Sequence, residues 1–138
     1  MSRAFSLRIL SAERTLFSGE VGSVIVPALN GYLGVMAGHA PMVAALEAGE
    51  VAATTSQGER MHFAVSGGIA NVTGDSTVVL ANSAEKPEEI DVPRAEAARD
   101  RALQRLHIAA GEADLERARG ALARARNRLK VALRAQRS

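Results

Sequence analysis

The chain has no cysteine and no tryptophan, and only four of its 138 residues are aromatic (Phe5, Phe17, Tyr32 and Phe63). The missing thiols exclude disulfides, iron–sulfur clusters and thiolate catalysis. They also leave the redox compartment unwritten, with a cytosolic-type environment as the expectation. So few aromatics leave no platform on which the bases of a single-stranded nucleic acid could stack. No window approaches eighteen uncharged apolar residues, so no membrane-spanning helix is expected. Arg8 interrupts Phe5–Leu10 before the apolar core of a signal peptide can form. What is present is globular in composition, 47% hydrophobic and 23% charged, and long enough for one domain or a small domain with an appendage.

The formal net charge of +2 is unevenly spread. Residues 1–84 carry four arginines against six acids, a balance of −2, and residues 85–138 carry thirteen basic residues against nine acids, a balance of +4. Between Arg117 and Arg137 eight positions are basic and none is acidic. Such a stripe is either a solvated helix face or a surface that meets an acidic partner.

Two kinds of pattern divide the chain. From Ala4 to about Ala84 valine, isoleucine and threonine are frequent, and ten of the twelve glycines fall here as turn punctuation. Phe5, Leu7 and Ile9 alternate with Ser6, Arg8 and Leu10, which predicts a half-buried strand. Val24–Pro27 and Tyr32–Met36 flank Asn30-Gly31, the dipeptide best suited to the positive φ angles of a tight hairpin. Met61–Val65, Ile69–Thr73 and Thr77–Ala81 follow as three further strands, separated by Ser66-Gly67-Gly68 and Gly74-Asp75. Glu47 and Glu50, flanking Gly49, read as turn residues. Short strands at this spacing predict an antiparallel β-sandwich or barrel.

After Glu85 the pattern is helical. Residues 91–138 hold thirteen alanines and only three β-branched side chains. Asp91 is a plausible N-cap, Pro93 suits a first turn, Gly111 breaks the helix near Ala110, and Asp114 helps start a second. Leu115, Ala118, Leu122, Ala125, Leu129 and Ala132 then repeat in steps of three and four, a seam of which half is alanine. The first helix offers Ala95, Ala98, Ala102, Leu103, Leu106 and Ala110. At roughly 25 cal/mol per Å² buried, methyl groups hold such a hairpin weakly, and it should be able to open.

Catalytic signatures are missing. His39, His62 and His107 have no metal-ligand spacing, Ser66 is preceded two residues earlier by Ala64 rather than glycine, and no phosphate-binding glycine loop occurs. His39, in Gly38-His39-Ala40-Pro41, reads as a polar side chain pinning a loop, and Glu85–Ala95 as a charged linker and helix cap. Among function classes open to the residues alone is a small nucleic-acid-binding protein whose arginine-rich hairpin tracks phosphates.

Three motifs point elsewhere. Residues 31–41, Gly-Tyr-Leu-Gly-Val-Met-Ala-Gly-His-Ala-Pro, resemble the pattern G-x-L-G-x-x-x-G-H-A-P of the epsilon subunits of rotary ATP synthases. Phe63-Ala64-Val65-Ser66-Gly67-Gly68 resembles that family's second signature, and the likeness extends over the whole chain. The resemblance implies an α+β fold, with a β-sandwich over residues 1–84, a hinge at 85–90 and an antiparallel two-helix hairpin over 91–138. It further implies a non-catalytic rotor subunit, peripheral to the cytoplasmic face of the bacterial inner membrane. Its partners would be the gamma subunit and the membrane ring of c subunits, with no nucleic acid among them. Asn30, Gly31, Tyr32 and His39 would face the ring; Tyr32 stands where some relatives carry an acidic residue. The hairpin would lie folded or extend along gamma, towards the beta and alpha subunits, and hinder ATP hydrolysis through Arg119, Arg126 and Lys130.

The third motif, Ile90-Asp91-Val92-Pro93-Arg94-Ala95, resembles [IL]-D-x-x-R-A, which some family members use to bind ATP. No cofactor is required, and ATP would be a regulatory ligand held by Glu85, Ile90, Asp91, Arg94, Ala95, Arg101, Arg124 and Arg128. Arg124 and Arg128, four residues apart, share one helical face.

Overall fold

The computed structural model describes residues 3–136, so Arg137, the last member of the basic stripe, lies outside the described residues. Eight strands precede two helices: β1 Phe5–Ser11, β2 Thr15–Val21, β3 Ser23–Ala28, β4 Gly31–Met36, β5 Met42–Thr54, β6 Arg60–Val72, β7 Ser76–Ala81, β8 Ala84–Glu85, α1 Val92–Ile108 and α2 Glu112–Gln136. The expected β-sandwich followed by a two-helix hairpin is therefore the observed architecture. The chain divides into two compact units between Lys86 and Pro87.

In the first unit the strands hydrogen-bond in the order β2-β1-β7-β6-β5-β3-β4, and β8 pairs with β6. The pairings are antiparallel except for β1 with β7, which run parallel. Both ends of this path send side chains into one core. Phe5, Leu7, Ile9 and Val79 come from one end, and Val24, Val26 and Val35 from the other, with Val51, Phe63 and Val65 among them.

The sheet folds over on itself through β5 and β6, thirteen residues each. Their register is continuous from Met42↔Val72 to Thr54↔Arg60, yet the face they turn to the core changes midway. In β5 the core residues are Leu46 and then Val51 and Ala53; in β6 they are Phe63 and Val65 and then Ala70 and Val72. Strict alternation cannot take an even position to an odd one, so the backbone must twist between them. On β6 that twist sits at Gly67 and Gly68, with φ of 115° and 142°. A Cβ on Gly68 would lie 2.1 Å from the Leu80 carbonyl oxygen, so only glycine fits.

Three local expectations are thereby corrected. Ser66-Gly67-Gly68 is a bend inside one strand and not a turn between two. Glu47, Gly49 and Glu50 lie in the middle of β5 and not in a turn, because the glycine there answers a packing need described below. The β3–β4 hairpin closes through Leu29-Asn30, one residue earlier than the Asn-Gly reading places the turn; Ala28 pairs with Gly31, and positive φ (122°) is found at Gly31 as expected but not at Asn30.

In the second unit a single 3₁₀ turn, Pro87–Glu89, precedes α1. Asp91 caps α1, its Oδ1 accepting from the Arg94 N–H at 3.1 Å, and Pro93 sits in the first turn where no donor is needed. The α1 C-cap is Ala109, and α2 begins at Glu112, so Glu112 joins Asp114 and Glu116 as an acid of its first turns. The seam is as thin as its composition: Ala95 and Ala102 are buried on α1, and Ala118, Leu122, Ala125, Val131 and Ala132 on α2. Leu103, expected in the seam, is 41% exposed, and Ala110 lies beyond the helix. Among the described residues no helix is long and apolar enough to cross a membrane.

Candidate functional site

The nucleotide candidates are distributed over both units. Glu85 belongs to the sandwich, on β8 opposite Ala64. The other seven lie in the helical unit. Ile90 and Ala95 are buried. The Asp91 carboxylate is partly engaged by the cap of α1. Arg94 and Arg101 are exposed and seven residues apart, hence on one face of α1 two turns from each other. Arg124 is exposed, its guanidinium folded back along α2 so that a Cβ on Gly120 would lie 3.3 Å from Nη1. Arg128, four residues on, is half-buried. The helical unit also has a cavity of about 320 Å³ at its closed end, lined by Arg105, Ile108, Ala109, Asp114, Arg117 and Ala118, and none of the eight candidates lines it.

The basic stripe on α2 is well defined. Arg119, Arg126 and Lys130 are exposed, at spacings of seven and four that place them on one face. Two ion pairs form within α2 at the start of the helix. Asp114 pairs with Arg117, and Glu116 with Arg119 at a loose 3.8 Å. Exposed pairs of this kind are worth at most about 1 kcal/mol and leave the positive field largely intact.

On the sandwich, the ring-facing candidates do not form one cluster. Asn30, Gly31 and Tyr32 sit at the tip of the β3–β4 hairpin, whereas His39 follows the far end of β4, about 20 Å of strand away. His39 is pinned as expected: its Nδ1 lies 2.8 Å from the Ala40 carbonyl oxygen, and its backbone N–H donates to Met36. β4 is the last strand of the path.

Two features escape sequence reasoning. The first is an apolar row on the outward face of the sandwich. Leu10, Leu80, Ile69 and Ala45 are successive cross-strand partners on β1, β7, β6 and β5, and Leu29 donates its N–H to the Ala45 carbonyl. Leu29 is 59% exposed and Val43, two residues along β5 from Ala45 on the same face, 68%. The second is Glu50, only 7% exposed, whose carboxylate lies 3.1 Å from His62 Nδ1, an ion-pair distance though not aligned as a hydrogen bond. Both depend on strand register. A strand over Thr77–Ala81 was legible, but not which strand would lie beside it. Among the described residues no group of three or more acids and histidines is placed to hold a metal ion.

Residues 4–87 match the family described as ATP synthase, Delta/Epsilon chain, beta-sandwich domain, and residues 88–132 that described as ATP synthase, Delta/Epsilon chain, long alpha-helix domain. Among curated proteins, the chain is 42% identical over 129 residues to the ATP synthase epsilon chain of Moorella thermoacetica, covering 94% of this chain and 96% of that one. It is 42% identical over 132 residues to the epsilon chain of Desulforamulus reducens, covering 96% and 99%. Among solved structures, a chain of the Euglena gracilis mitochondrial ATP synthase superposes with a TM-score of 0.80 at 22% identity, over 98% of this chain and 82% of that one. That last likeness speaks for the fold.

Proposed function

The chain belongs to the ATP synthase delta/epsilon chain family, and from this premise we propose that it is a rotor subunit that helps couple ion flow to ATP synthesis and restrains ATP hydrolysis through an ATP-sensitive hairpin. It performs no chemistry itself; its work is to bind and to change state.

The observation that carries the docking half is the outward apolar row from Leu10 to Leu29. Solvated sheet faces ordinarily alternate to polar residues, and a contiguous apolar strip across four strands marks a protein contact. The gamma subunit is the partner proposed for it, and the hairpin tip at Asn30–Tyr32 is proposed to meet the ring of c subunits. The sandwich thus joins the two, peripheral to the membrane.

The regulatory half rests on the alanine seam together with the arginine faces. A hairpin sealed by methyl groups has two states close in free energy, and a ligand that binds one of them decides between them. ATP at a hundredfold excess over its Kd contributes about 2.7 kcal/mol to the closed form. Arg124 and Arg128 on α2, with Arg101 on α1, supply phosphate-binding charge when the two helices are together. Glu85, Ile90, Asp91, Arg94 and Ala95 complete the proposed set on its adenosine side. When the helices part, Arg119, Arg126 and Lys130 would be free to meet an acidic segment of the beta subunits and hinder hydrolysis.

Titration of the isolated full chain with ATP, ADP and GTP tests this. Saturable binding of ATP, lost in Arg128→Ala, is the expected result. If Arg128→Ala and Asp91→Ala both leave ATP affinity unchanged, no such site exists on these residues.

A further inference from the structure

Tyr32 is 58% exposed on an edge strand, yet its far end is anchored. In β3 the residues Val24 and Val26 face the core and Ile25 faces outward; Pro27 shares the outward side with Ile25 and is nonetheless buried. Tyr32 is the cross-strand partner of Pro27 on β4. Its hydroxyl reaches over β3 to β5, where it lies 3.3 Å from the position a Cβ on Gly49 would take and 3.5 Å from the Glu50 backbone N–H that donates to it. The same Cβ would lie 2.4 Å from Pro27 Cβ and 2.9 Å from Pro27 Cγ. No side chain other than hydrogen is compatible with that approach, because the proline ring is rigid and fixed to the strand. Pro27, with no N–H to give, sits where the β3–β5 ladder is already interrupted between Ile25 and Ala28. A short run of proline, glycine and tyrosine on three adjacent strands is therefore one packed unit.

The surface beside it is bare. Gly34 shares the face of Tyr32, two residues along β4, and a Cβ there would meet nothing within 4 Å. The chain's own packing does not require glycine at 34, whereas it does at 49.

We propose that Gly49 and Pro27 are positioning residues that hold the Tyr32 ring across β3, so that the β3–β4 tip offers the c ring a fixed, uncharged surface which Gly34 leaves flat. This rests on the ring contact proposed above. A side chain already fixed before contact loses little rotational freedom on binding, and a flat uncharged surface admits close approach of a partner backbone without stripping water from a charge.

Because Tyr32 is the only tyrosine and the chain has no tryptophan, intrinsic fluorescence reports on this one ring. With tyrosine selectively labelled in the unaltered full chain, nuclear Overhauser contacts from the Tyr32 ring to Pro27 and Gly49 are expected. Gly49→Ala should make Tyr32 more open to acrylamide quenching, and in the assembled synthase should lower proton-driven ATP synthesis several-fold. Gly34→Val should leave the quenching unchanged and lower synthesis as well. Absence of the nuclear Overhauser contacts overturns the positioning role, even if Gly49→Ala does not fold; so does unchanged quenching in a folded Gly49→Ala. If Tyr32→Ala and Gly34→Val both support synthesis at the parent rate, the ring contact fails, and the positioning has no function to serve.

Discussion

At Gly68 the chain shows how much a single residue can determine. The φ of 142° excludes side chains, and the Leu80 carbonyl occupies the space that a Cβ needs. Backbone strain and a clash with a neighbouring strand add, so Gly68→Ala is predicted to destabilise the sandwich by at least about 3 kcal/mol, read from urea unfolding. A cost under 1 kcal/mol, at about the level of a surface substitution, would mean the bend in β6 is not fixed as described. Asp91 presents a different problem, since its carboxylate caps α1 and is also a nucleotide candidate. Asp91→Ala removes both roles and should cost about 1 kcal/mol of helix stability from the cap alone. Asparagine caps as well as aspartate but carries no charge. Asp91→Asn is therefore predicted to keep the helical unit's thermal stability while weakening ATP binding in calorimetry. Weakening by alanine but not by asparagine would assign the effect to the cap.

Among the elements, those legible in the sequence were the ones whose periodicity is unbroken. Phe5, Leu7 and Ile9 alternate without interruption, and β1 forms over them; Asp91, Pro93 and Gly111 punctuate α1 where the structure begins and ends it to within a few residues. The long strands β5 and β6 were not legible, because their core-facing positions change parity between Leu46 and Val51 and between Val65 and Ala70. A pattern that breaks its own period looks like two strands or a turn. The candidate site divides in the same way. Arg119, Arg126 and Lys130 share one face through their spacing along a single helix, while the meeting of Tyr32 with Gly49 and the pairing of Glu50 with His62 needed strand registers that no local pattern contains. From that face follows a prediction for α2. Reversing Arg119, Arg126 and Lys130 to glutamate leaves the nucleotide candidates untouched, and should relieve inhibition of ATP hydrolysis while sparing ATP affinity. Hydrolysis as inhibited as before would shift the explanation from charge to steric obstruction by the helix.

For the whole molecule, the division between Lys86 and Pro87 governs how the functions can be separated. Glu85 lies on the sandwich side of it, paired through β8 to β6, and Ile90, Asp91 and Arg94 lie on the other. The first unit has a core from its own strands, carries the outward apolar row and the hairpin tip, and is the less basic part. The second has only an alanine-rich seam and most of the positive charge. A truncation made after Ala84 would remove Glu85 from β8, whereas one made after Lys86 keeps every strand. The chain ending at Lys86 is predicted to fold, to assemble into the synthase and to support proton-driven ATP synthesis close to the parent rate. Hydrolysis in that assembly should be faster than in the parent and no longer respond to whether ATP was present beforehand. Failure to assemble would show that docking needs the helices, and the assignment of docking to the sandwich would fall. Assembly with hydrolysis still restrained would instead leave docking where it is and remove the brake from the hairpin.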